Sequence, residues 1–141
     1  MKALIAACLA CFLPGAWAAL GTSPDLPAAG GAAQLTPSGA AYTHLKRQLE
    51  SGTTVHEFVD SAGRVFAVAW SGPFLPDLRE LLGAHFTVLA QEEAAQRSKS
   101  SSVEVRRPEL VIVSSGRMRA FHGRAWLPRQ LPAGFDPARL P

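Results

Sequence analysis

Thr53-Thr54-Val55-His56-Glu57-Phe58-Val59, then Asp60-Ser61-Ala62-Gly63, then Arg64-Val65-Phe66-Ala67-Val68-Ala69-Trp70-Ser71: this stretch decides the architecture of the chain. Two runs rich in β-branched and aromatic residues flank a four-residue segment that ends in Gly. That is the pattern of a β-hairpin whose last turn residue takes a positive φ. Alternation along the second run puts Arg64, Phe66, Val68 and Trp70 on one face and Val65, Ala67 and Ala69 on the other. Both faces are nearly apolar, so the strand is expected at the centre of a sheet that is covered on both sides.

One cover is legible just downstream. After Gly72-Pro73-Phe74-Leu75, a proline at position 76 opens a segment in which Asp77 and Glu80 place negative charge in the first turn of a helix. Leu78, Leu81, Leu82, His85, Phe86 and Leu89 then follow helical spacing, which predicts a helix over about 76–96. Phe66, Val68 and Trp70 are expected to meet Leu78, Leu82 and Phe86 in one core. Gly83 costs up to about 1 kcal/mol relative to Ala in a helix and is the point where the helix could divide.

Working outward, Tyr42 to Leu49 reads as a first strand ending at Ser51-Gly52. Val103 to Arg106, Leu110 to Ser114 and Arg117 to Leu127 read as later strands, with a turn around Ser115-Gly116. The order β-β-β-α-β-β-β predicts an α+β fold. Its antiparallel sheet would have about five to six strands, with one main helix packed on a face. Residues 42–127 form the expected globular domain. Before it, 19–41 reads as a flexible arm rich in Ala, Gly and Pro. After it, 128–141 carries prolines at 128, 132, 137 and 141 and reads as an extended strap over the surface.

Residues 1–18 have the order of a secretory leader: Met1-Lys2, an apolar run from Ala3 to Leu13, a Pro14-Gly15 break, and Ala16-Trp17-Ala18 as a cleavage site. The run is too short to span a bilayer of about 30 Å as a retained anchor. The expected location is therefore periplasmic or secreted, after cleavage following Ala18. Ile5-Ala6-Ala7-Cys8 resembles a lipoprotein box, but only Met1 to Leu4 precede it and the apolar run continues past it, which disfavours a lipid anchor on Cys8. Both cysteines, Cys8 and Cys11, fall within the leader. A mature chain without cysteine has no thiol catalysis, disulfide or thiolate metal site.

Charge is polarised along the chain. Residues 19–96 carry four Lys and Arg against eight Asp and Glu, whereas 97–141 carry nine against three. The basic half holds the candidate binding strand, Arg117-Met118-Arg119-Ala120-Phe121-His122-Gly123-Arg124-Ala125-Trp126. Arg117, Arg119 and Arg124 interleaved with Phe121 and Trp126 suit an anionic or aromatic ligand. The competing reading makes the arginines the wet face of a strand whose Met118 and Ala120 face the core. No nucleic-acid partner is expected of an exported chain. An envelope protein or an anionic envelope polymer is the partner class in view.

Catalytic patterns are thin. Ser71 in Trp70-Ser71-Gly72 lacks the first glycine of a nucleophile elbow. None of His44, His56, His85 and His122 forms a spaced metal pair, so no metal and no cofactor is expected. An enzyme would have to assemble its site around His56, His122 or Asp77. The reading preferred over it is a non-enzymatic binding module.

The run from Gly63 to Leu78, with Leu81-Leu82-Gly83 and Gly123-Arg124-Ala125-Trp126-Leu127-Pro128, resembles an exported bacterial family catalogued as domain of unknown function 2844. The resemblance extends over nearly all the chain from Ala19-Leu20-Gly21 onward. It implies a secreted or periplasmic protein and supplies no activity or catalytic residue.

Overall fold

In the computed structural model, residues 19–23, 31–95 and 102–141 are described. The expected leader at 1–18, with Cys8 and Cys11, lies outside the described residues. Seven strands form one antiparallel sheet: β1 (Ala32–Leu35), β2 (Ala41–Gln48), β3 (Thr54–Asp60), β4 (Val65–Gly72), β5 (Ser102–Arg106), β6 (Val111–Arg117) and β7 (Ala120–Trp126). Their spatial order is β1-β2-β3-β4-β7-β6-β5. The fold is α+β, with seven strands rather than five or six and four of them before the helix. The added strand is β1. It lies in the segment expected to be a flexible arm, and its Ala32-Ala33-Gln34-Leu35 has too little alternation to announce a strand.

The hairpin of β3 and β4 closes on Asp60. Its carboxylate accepts the amides of Ala62 and Arg64, both at 2.9 Å, and Gly63 takes φ 80°. β4 is the central strand, and Val65 to Trp70 are all buried. Simple alternation fails at one point. Val59 pairs with Val65 while Phe58 pairs with Ala67, so Phe66 is an extra residue, a β-bulge. The bulge turns Phe66 away from Val68 and Trp70 to the opposite face, where it joins Phe58, Ala67, Ala69 and Leu140.

The face with Val68 and Trp70 is covered by α1 (Leu78–Leu82) and α2 (Phe86–Ala95), joined by a 3-10 turn at Gly83–His85. Leu78, Leu81, Leu82 and Leu89 enter this core, and Phe86 packs at its margin. Asp77 caps α1, accepting the amides of Arg79 and Glu80. Gly83 ends α1 at φ 54°, so the expected single helix is two. Leu20 is buried in the same core. Its N–H donates to the Leu81 carbonyl, and the Gly21 and Val65 amides exchange bonds with the Val65 and Thr22 carbonyls. Leu20 thus plugs the core, and residues 19–22 are tied to α1 and β4 rather than part of a flexible arm.

The other face is covered by the chain after β7. Residues 128–141 form 3-10 turns at Pro128–Gln130 and Pro137–Arg139. They lay Leu131, Phe135 and Leu140 over Phe58, Phe66 and Trp126. Among the described residues no helix is long and apolar enough to cross a membrane.

Candidate functional site

Directly opposed residues of an antiparallel pair share a face, so the register lays out the side beneath the strap in rows. One row runs Ala32, His44, Phe58, Ala67, Trp126; the next runs Lys46, His56, Ala69, Arg124; a third runs Thr54, Ser71, His122, Ser115. His44 and His56 are diagonal neighbours on adjacent strands. Their Nε2 and Nδ1 atoms lie 2.8 Å apart, a hydrogen bond between rings. The ring planes differ by 19° and the centroids are 5.1 Å apart, close to the N···N distance plus a ring radius at each end. The bond therefore runs roughly along the ring planes; the accepting nitrogen has its lone pair engaged and the donating nitrogen carries a proton, so neither of the two is free to bind an ion. His44 also lies flat against Phe58, centroids 4.5 Å apart.

Burial holds His44 below the ordinary histidine range, and the Lys46 ammonium pushes the same way. Burial is also the largest effect on His56, followed by His44 and then Lys46. The pair is neutral at neutral pH, with one nitrogen donating and the other accepting.

This pair ends a pocket of about 690 Å³, within the range of small-molecule sites. Gln34 and Leu35 of β1, Thr36 and Pro37 of the following turn, Tyr42, Phe58, and residues 134–136 and 139–141 of the strap line the rest. Its aromatic wall is a set of edge-to-face contacts around Phe135, 5.3 Å from Tyr42, 4.9 Å from Phe66 and 5.8 Å from Phe58. Tyr42 donates its hydroxyl to Gln34 Oε1. The strap is pinned there by Thr36, whose Oγ1 donates to the Ala133 carbonyl at 2.6 Å. Asp136 accepts the Ala138 amide, capping the last turn.

The five residues singled out in the basic strand do not converge. β6 runs on to Arg117, so the turn falls at Met118-Arg119 rather than at Ser115-Gly116. Arg119 has φ 65°. Met118 is 93% exposed at the tip between Arg117 and Arg119, not in the core, and Ala120 is exposed as well. Phe121 lies on the helix side, where a Cβ on Gly116 would come within 2.3 Å of its ring. Arg117, opposite Ala120, shares the strap face with Arg124 and Trp126 but lies at the exposed tip, away from them. The Arg124 guanidinium stands 5.9 Å over the Trp126 ring and donates to the Ala138 carbonyl. Of the residues suggested for catalysis, His56 is in the pocket, His122 is exposed one row away across β4, and Asp77 caps α1. Among the described residues no three His, Cys, Asp or Glu are grouped to hold a metal.

The sequence does not mark His44 as the partner of His56, because no linear motif joins positions on neighbouring strands. Counting back from the Ser51-Gly52 turn would have found it. The family model for a protein of unknown function, DUF2844, matches residues 16–140. No curated protein and no solved structure matches the chain.

Proposed function

Since the chain belongs to the DUF2844 family, whose description assigns no function, we propose from the site itself that it is an exported, non-enzymatic binding module holding a small, partly apolar ligand beneath its C-terminal strap. One observation carries this reading: a pocket walled by aromatic rings ends in a hydrogen-bonded histidine pair, the combination of apolar lining and few polar groups that fixes a ligand's orientation. A catalytic reading lacks convergent support, since His122 and Asp77 do not reach the pocket. The leader at residues 1–18 supports export, and N-terminal sequencing of the secreted product should begin at Ala19. An intact Met1 as the sole species would refute export.

The binding reading is tested by titrating the mature chain with a fragment set and following backbone amide signals. Saturable shifts confined to residues 34–36, 42–44, 56–58 and 134–140 are expected. Shifts elsewhere, or none, would refute it. The β6–β7 tip favours a second contact: Arg117, Met118 and Arg119 project together into solvent, which suits docking on an anionic envelope polymer.

A further inference from the structure

The ligand class follows from the charges around the histidine pair, given the pocket reading above. Lys46 stands directly opposite His56 on β2. Beyond Ala69 on the other side, two strand spacings or about 10 Å from His56, comes Arg124 of β7. β1 contributes the neutral Ala32 opposite His44, and β4 contributes Ala67 and Ala69. From the strap, Asp136, Arg139 and Pro141 face the pocket. Asp136 is engaged by the Ala138 amide, and Arg139 lies 3.9 Å from it. Tyr42 is engaged with Gln34. The charge nearest the pair in the register is therefore a cation, and the Asp136 carboxylate sits at the strap end.

We infer that the pocket takes an organic acid, with its carboxylate at the His44–His56 end beside Lys46, its apolar body against Tyr42, Phe135 and Leu140, and one proton taken from solvent by the histidine pair as the anion binds. A hydrogen-bonded imidazole pair accepts one proton without losing its bond, because the imidazolium N–H donates to the neutral neighbour in a charge-assisted contact. A second proton would set two N–H groups head to head, so the uptake stops at one. Without ligand, burial first and the Lys46 ammonium after it hold both rings below the ordinary histidine value and so favour the neutral pair. A bound carboxylate offsets the Lys46 field and stabilises the imidazolium.

The test uses trans-cinnamate and octanoate, each paired with its neutral amide, titrated into the mature chain by calorimetry between about pH 6 and about pH 8, in buffers of differing ionisation heat. The acids should bind with uptake of about one proton and tighten by up to about tenfold per pH unit on acidification, while the amides bind without pH dependence. His56→Gln should remove the proton uptake and with it the pH dependence of acid binding. Acid binding that is independent of pH, with the amides bound equally well, would overturn the inference and leave the pocket reading standing. Failure of both acids and both amides to bind at millimolar concentration would overturn the two together.

Discussion

Gly123→Ala is the sharpest perturbation of this fold. Gly123 lies in mid-strand on β7, paired with Trp70 of β4 and Ser114 of β6. A Cβ there would stand 2.3 Å from Trp70 Cζ2, 2.6 Å from Cε2 and 2.8 Å from the Val113 carbonyl oxygen. Carbon contacts settle at about 3.5–4.0 Å, so the indole would have to retreat by more than about 1 Å. It has nowhere to go, because Trp70 is fully buried against the helices and the other obstacle is backbone. Overpacking costs about 1–3 kcal/mol, and a clash on two sides belongs at the upper end, about 3 kcal/mol. With a urea slope of about 2 kcal/mol per molar, the unfolding midpoint should fall by about 1.5 M. Repeating the substitution in a Trp70→Leu background should at least halve its cost, since the ring atoms in the way are gone. A cost below about 0.5 kcal/mol, or one unchanged by Trp70→Leu, would refute the packing of Trp70 on Gly123.

The remaining predictions can be read on the same purified chain. Phe135→Ala strips the strap's aromatic contacts; as a half-buried ring it should cost about 2 kcal/mol in urea unfolding, about half the full-burial value, and weaken any ligand of the pocket. Burial lowers His44, His56 and His85 from the ordinary value of 6.5, so below 6.5 the unfolded chain binds more protons than the folded one. Stability should hold above about pH 7.5 and fall as pH drops through 6.5, with His44→Gln and His56→Gln flattening the decline in urea midpoints. Arg117→Glu with Arg119→Glu should shift stability by less than about 0.5 kcal/mol, because both side chains are exposed, while abolishing salt-sensitive retention on a polyanion column. A large loss of stability would instead tie the tip to the acidic half of the chain.

The β3–β4 hairpin was legible because every local signal agreed: β-branched runs, an Asp-to-Gly turn and two apolar faces on the second strand. Phe66 was misassigned because a bulge shifts parity by one residue, and nothing in Arg64-Val65-Phe66-Ala67 marks where the extra residue falls. The competing reading that turns Met118 toward the core fails for a related reason: Ser115-Gly116 resembles a turn, but β6 runs through it and Arg119 supplies the left-handed residue instead. β1 was hidden by its composition, as was the Leu20 plug, whose burial comes from long-range contacts with α1 and β4. The pocket was the least legible feature. His44 and His56 come from paired strands, Phe135 and Leu140 from the far end of the chain, and no spacing rule connects them.

The sheet order has a kinetic meaning as well. β1 to β4 pair with their neighbours in sequence, and so do β5 to β7, and within the sheet the two halves meet where β4 pairs with β7, with Ala67 beside Trp126. Closing that seam brings distant parts of the chain together, a loop-closure cost that slows folding. The apolar strap face of β4 then stays bare until residue 140 has been synthesised, because Leu140 and Phe135 are what cover it. For a chain proposed to cross a membrane unfolded, that order leaves the apolar face of β4 unsealed until the segment 131–140 has followed the strands it covers.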